Sequence, residues 1–151
     1  GITSSSSFRL DTTFAGDGVI TANWEEVDEE GYGALGTSMT ESSGIFTFPS
    51  TGYWLVFFCS SGNFDVAAGR ISSSIQVTTN DSSYTDASEA THQGALNMFQ
   101  AVTTMHQIDV TSVSTHKVRF YINQVTNDGN SVLGSSGINY TFATFVRLGD
   151  T

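Results

Sequence analysis

Apolar and polar positions alternate with a period of two along most of this chain, and no segment sustains a helical period. RLDTTF (9–14) and GVITANW (18–24) predict short strands, after which the acidic run EEVDEE (25–30) leads into a glycine-rich loop, GYGALG (31–36). FTFPSTGYWLVFFC (46–59) carries the strongest strand signal, RISSSIQVTT (70–79) is another strand, and NDSSYTDASEA (80–90) reads as a polar loop. In ALNMFQAVTT (95–104), Leu96, Phe99 and Val102 recur near helical spacing, yet strand-like neighbours and a Thr-rich end favour a strand. HQIDVTSV (106–113), KVRFYINQV (117–125) and NYTFATFVRL (139–148) complete the set, with an Asp-Gly hairpin signal inside TNDGNS (126–131). Eight or more short strands with no helix between them predict an all-β antiparallel sandwich or jelly roll.

Two strands depart from simple alternation. In KVRFYINQV the buried set Val118, Phe120 and Ile122 alternates with Lys117, Arg119, Tyr121 and Asn123, as expected for one wet face. In the last strand Tyr140, Phe142, Val146 and Leu148 share one face, while Ala143 and Phe145 keep the other from being polar. From Tyr53 to Cys59 the alternation disappears and both faces are apolar. A strand greasy on both sides needs two covers: the sandwich core and either a second subunit or a loop of the same chain. Subunit association is the simpler cover, and Tyr53, Leu55, Phe58, Tyr121 and Phe145 are the expected interface residues. Gly44, Phe46, Phe48, Pro49, Gly52, Trp54, Val56 and Phe142 are assigned to the core and its turn. Pro49, the one proline, ends the first strand of that segment and starts a tight turn without needing a ladder N–H, and Gly52 restarts the chain.

Composition narrows the function classes. The 151 residues suit one domain, expected at 8–151 behind a flexible Ser-rich lead at 1–7 that connects to something larger. Five basic against 15 acidic residues, a net charge of −10, argue against binding a phosphate backbone or an anionic membrane surface. No stretch reaches the length of a membrane span. The single cysteine, Cys59, lies in the apolar run and is expected to be a small buried hydrophobe.

The chemical motifs are weak. GYGALG matches G-x-G-x-x-G, but the acidic run before it would repel a pyrophosphate and no helix follows to hold one. Glu25, Glu26, Asp28, Glu29 and Glu30 offer carboxylate oxygens to a divalent cation such as Ca²⁺, without the spacing of a calcium loop; a solvated acidic loop is the plainer reading. His92, His106 and His116 are far apart and lack metal-site spacing, and no G-x-S-x-G elbow is present, so no enzyme is expected. His116 beside Lys117 is a candidate pH sensor at an interface. Asn80-Asp81-Ser82 and Asn139-Tyr140-Thr141 match the glycosylation sequon, the second discounted because it opens a buried strand. Tyr32, Tyr84 and Asn80, in expected loops, are candidates for stacking on and hydrogen-bonding a sugar.

Residues 44–56 carry a resemblance. Gly44-Ile45-Phe46-Thr47-Phe48-Pro49-Ser50-Thr51-Gly52-Tyr53-Trp54-Leu55-Val56 is similar to the signature of C1q globular heads, roughly G-x-F-T-C-P-x-x-G-x-Y-x-F. Gly44, Phe46, Thr47, Pro49 and Gly52 match outright; Phe48, Trp54 and Val56 stand where Cys, Tyr and Phe are usual. The closing Tyr140-Thr141-Phe142-Ala143-Thr144-Phe145-Val146 resembles the family's S-T-F-S-G-F-L, while the Gly-Asp usual before the penultimate strand is absent at 115–120. The resemblance implies a C1q/tumour-necrosis-factor-like jelly roll of about ten strands, assembled as a homotrimer and used as a non-enzymatic recognition or structural head. Some members bind Ca²⁺ near the trimer axis, but no matching ligand set is seen. The phrasing SSGIFTFPSTGYW also resembles C1q-like domains of marine bacteriophage structural proteins. That likeness implies a capsid decoration or fibre, on a virion or extracellular, joined to its assembly through the N-terminal side. The partner would be a surface glycan or a protein receptor, with no nucleic acid and no membrane insertion.

Overall fold

A computed structural model describes residues 1–64, 70–93, 98–124 and 131–151. Thirteen strands and no helix are found among them, in two antiparallel sheets packed face to face. The first sheet contains β1 (Ser4–Leu10), β2 (Phe14–Ala15), β4 (Trp24–Glu26), β7 (Gly52–Phe64), β10 (Met98–Val110), β12 (Ser131–Val132) and β13 (Phe142–Gly149). Its order is β10-β7-β13-β1-β4, with β12 continuing beside the far end of β7 and β2 beyond it. The second contains β3 (Gly18–Val19), β5 (Thr40–Ser42), β6 (Ile45–Thr47), β8 (Arg70–Thr78), β9 (Thr85–Gln93) and β11 (Lys117–Gln124). Its order is β5-β6-β11-β8-β9, with β3 on the end of β11.

One side-chain row from each strand fills the space between the sheets. Phe8 and Leu10, Trp54, Val56 and Phe58, Ala143 and Phe145 enter from the first; Phe46, Ile71, Ile75, Val118, Phe120 and Ile122 enter from the second. Aromatic rings join the layers: Phe58 stacks on Phe120 at 4.5 Å, and Phe8 meets Phe46 edge-on at 5.2 Å. The hydroxyls of Ser60 and Ser73 pair across the same gap, so two buried polar groups satisfy one another. At one side the edges of β9 and β10 are tied by Ser88 to Thr104 and His92 to Gln100.

The segment around Pro49 behaves as its sequence implies. β6 stops at Thr47, Pro49 sits in the connection, and β7 starts at Gly52. Trp54 closes the turn by donating its indole N–H to the Ser50 carbonyl, 3.1 Å, and packs on Phe48. Gly44 turns β5 into β6 with φ +81°, and a Cβ there would lie 2.2 Å from the Ile20 carbonyl oxygen, so no other residue fits.

Several sequence expectations are corrected. The Ser-rich lead is not flexible through Ser7: Ser4–Ser7 are part of β1, paired to β13, with Ser4 and Ser6 buried. Residues 9–14 and 18–24 are not continuous strands but split between β1 and β2, and between β3 and β4. The loop expected at 80–90 gives way to β9 from Thr85, and the strands expected at 95–104 and 106–113 are one long strand, β10. The expected hairpin turn at 126–131, apart from Ser131, and the start of the 95–104 strand lie outside the described residues.

Candidate functional site

The two sheets present very different outward faces. On the second sheet, Lys117, Arg119, Tyr121 and Asn123 of β11 point away from the core, beside Ser72, Ser74 and Gln76 of β8. These side chains bond to one another and to β9. Arg119 donates to Gln76 (2.7 Å), Gln76 to Asp86 (3.0 Å), Ser74 to Glu89 (3.2 Å), and Ser72 pairs with Thr91 (3.0 Å). The Arg119 guanidinium lies 3.9 Å from the centre of the Tyr84 ring.

The outward row of the first sheet is apolar along β7 from Tyr53 to Cys59 and, Thr144 apart, along β13. β7 contributes Tyr53, Leu55, Phe57 and Cys59, and β13 contributes Phe142, Thr144, Val146 and Leu148. Registers place Val146 beside Leu55 and Met105 beside Phe57, while the Phe57 and Phe142 rings are 5.9 Å apart. Met105 and Phe99 on β10 are 58% and 69% exposed, and Tyr53 is 38% exposed. At one end the face dips into a cleft of about 350 Å³ whose walls include Phe99, Ala101, Leu133 and Tyr140. No helix among the described residues is long and apolar enough to cross a membrane.

Along β1 the face is covered. Arg9 lies in the outward row of β1 beside Phe142, yet its side chain is wholly inaccessible. Nε donates to Glu25 (2.7 Å), Nη1 to Glu29 (2.7 Å) and Nη2 to Asp28 (2.6 Å), with the Ser136 carbonyl as a further acceptor. Burial works to lower the guanidinium pKa, but the bonds and charges of Glu25 and Glu29 outweigh it and raise the pKa. Three of the five carboxylates considered for a cation therefore serve a fixed positive charge. A fourth, Glu26, accepts from Ser38 (2.6 Å) and Tyr32. No group of three or more His, Cys, Asp and Glu side chains among the described residues is placed to hold a metal ion.

The expected interface residues separate. Tyr53 and Leu55 lie on the outward apolar face, whereas Phe58 and Phe145 are fully buried between the sheets. Tyr121 lies on the outer face of the opposite sheet. Phe142, assigned to the core, is half-buried and outward; Phe46, Phe48, Trp54 and Val56 are in the core as assigned. His116 is buried in this chain, with Thr115 Oγ1 3.0 Å from Nδ1 and Thr111 Oγ1 3.4 Å from Nε2. Tyr32 accepts the Ser7 backbone N–H, Arg119 covers one face of Tyr84, and Asn80 Oδ1 accepts from Ser82 and Ser83 in its own turn. Each of the three candidates for a sugar platform thus has a partner within the chain. Cys59 is buried, and that burial pushes its thiol pKa up against a small opposing effect of Ser61. Sequence reasoning missed Phe57, Met105, Val146 and Leu148 as members of the face, although all four lie in apolar or alternating runs.

The arrangement defines an antiparallel jelly-roll sandwich with one unfinished apolar face. No protein-family model and no curated protein matches the sequence. Solved structures do: Eiger TNF from S. frugiperda superposes with a TM-score of 0.71 at 12% identity, covering 97% of this chain and 93% of that one. Murine APRIL superposes at 0.69, also at 12% identity, covering 96% of this chain and 98% of that one. The fold is therefore a tumour-necrosis-factor-like jelly roll.

Proposed function

We propose that this chain is a non-enzymatic head domain that works as a homotrimer in attachment. In this reading it is displayed on a virion, as capsid decoration or fibre, or on another extracellular assembly joined through its N-terminal side. Its receptor is a surface glycan or a protein. The observation that carries the reading is the outward row Tyr53, Leu55, Phe57, Phe142, Val146 and Leu148, on a sheet whose other face already fills the core. An apolar sheet face of this kind calls for a second cover. The cover favoured here is a neighbouring copy of this chain, and the exposed Phe99 and Met105 on β10 extend the face it would meet. A face meeting a different surface of the next copy is a heterologous contact, which closes into a ring when the rotation between copies closes and runs on as a filament when it does not. The number three rests on the likeness of fold.

Light scattering or native mass spectrometry tests this directly. The expected mass is three times that of the chain, with more than roughly 2,000 Å² buried at each interface of an obligate assembly. A stable monomer at micromolar concentration sinks the reading.

A further inference from the structure

The end of the sandwich where β1 begins and β13 ends holds a second, differently built feature. Arg147 occupies the row of β13 that carries Ala143 and Phe145, at the point where the core gives out. The pairing of β13 with β7 shifts register between Arg147 and Gly149, an irregularity of the sort that re-aims a side chain. Across from it, Gly52 has φ +134°, and a Cβ there would lie 2.8 Å from Arg147 Nε and 2.9 Å from Nη2. The guanidinium is seated in space that only glycine leaves open. Nε donates to the Thr51 carbonyl (2.9 Å) and Nη1 to Thr3 Oγ1 (3.1 Å), which holds the side chain from two sides at 14% exposure.

Arg147 lines a cleft of about 300 Å³ whose other walls are mainly hydroxyl side chains, among them Thr3, Thr37, Ser50 and Thr51. Its remaining engaged nitrogen, Nη2, donates to the Asp150 carboxylate at 2.5 Å. Asp150 is 92% exposed and three residues along the chain, so this is a solvent-screened pair that costs little to separate. Asp150 is a tethered carboxylate lying on a guanidinium that the fold has taken trouble to position.

We propose that this cleft binds a carboxylated monosaccharide, a terminal hexuronate or sialate unit of a glycan. Its carboxylate replaces Asp150 on Arg147, and its hydroxyls bond to Thr3, Thr37, Ser50 and Thr51. A guanidinium fork matches a planar carboxylate by paired N–H bonds. The cleft is at the small end of ligand sites and fits one sugar ring, not a bare ion. It shares no residue with the apolar outward face, so it stands or falls apart from the trimer.

The test is a titration of the whole chain followed by ¹H–¹⁵N correlation spectra. Glucuronate and N-acetylneuraminate are the probes, glucose the neutral control and inorganic phosphate the bare-anion control. Both acids are expected to shift the Thr3, Thr51 and Arg147 amides with millimolar affinity, and glucose to shift none. Asp150→Asn removes the competing carboxylate and should tighten binding about threefold. Arg147→Gln should abolish it; because Arg147 also holds the Thr51 carbonyl, Thr37→Val is the second variant, expected to weaken binding in a chain that melts as the parent does. The proposal is overturned if neither acid moves those amides at tens of millimolar, if phosphate binds as well as the acids, or if Asp150→Asn leaves the affinity unchanged.

Discussion

The outer faces of the two sheets differ in how their side chains meet their needs. The second sheet closes its own bonding: Arg119, Gln76 and Asp86 form a chain of donors and acceptors, and Ser72 and Ser74 find Thr91 and Glu89. The first sheet offers Leu55, Phe57, Phe142, Val146 and Met105, whose side chains cannot hydrogen-bond and cost free energy as long as water touches them. Two sheets of one sandwich thus share a core and differ in whether their second face is finished.

Breaking that asymmetry gives the largest expected effect. Leu55→Asp or Phe57→Asp should reduce the assembly to monomers by light scattering, while Tyr121→Asp on the polar face leaves its mass unchanged. Equal outcomes on both faces would remove the distinction. Phe58→Asp and Phe145→Asp belong to another class and should unfold the chain, since both are buried between the sheets.

The inner faces, by contrast, should respond alike. Trp54→Ala in the first sheet and Phe46→Ala in the second each remove a fully buried ring and should cost about 3–5 kcal/mol in denaturant unfolding. A loss below 1.5 kcal/mol at either position would mean that its side of the core is less tightly packed than the structure shows. Arg9 is a buried charge in the same outward row. Arg9→Ala removes three ion-paired bonds and the bond to the Ser136 carbonyl, and because Glu25, Asp28 and Glu29 can regain water, the expected loss is about 1.5–3 kcal/mol, reduced by high salt if the charges carry it.

The smallest effect concerns pH. His106 sits in the inward row of β10, and burial depresses its pKa. The unfolded chain therefore binds a proton more readily than the folded one, so this contribution is intact above about pH 6.5 and is lost as pH falls through the lower folded value. His106→Gln should flatten that part of the stability profile in chemical denaturation between pH 7 and 5. An unchanged slope would assign it to other groups.

Strand rhythm was readable from the sequence because alternation is local, and Val118, Phe120 and Ile122 show it unmixed. Facing was not readable where both rows are apolar. In the last strand Phe142, Val146 and Leu148 outweigh Ala143 and Phe145, so hydrophobicity pointed the wrong row inward. Only the register with β7, which sets Phe145 beside Val56, decides it. The Ser-rich start resembles a linker by composition, yet Ser4 donates to the Thr37 carbonyl and Ser6 accepts the Met39 N–H, bonds that exist only once distant segments arrive. Arg9 and the acidic run are 16 to 20 residues apart, and no short motif joins them. The same holds for Arg147 and Gly52, whose meeting depends on the pairing of β13 with β7.

The position of β1 has a consequence for how the molecule comes into being. Its neighbours are β4 and β13, and the Ser7 and Thr144 hydroxyls that pair across it are separated by 137 positions. On the ribosome the first strand must wait for the last. Until β13 is made, β1 and β7 both present unpaired edges and the apolar rows of Phe8, Leu10 and Val56 lack their cover. Closure is a late, long-range event of the sort that folds slowly. The apolar face depends on the same pairing of β13 with β7, so any association through it can start only after β13 has been made.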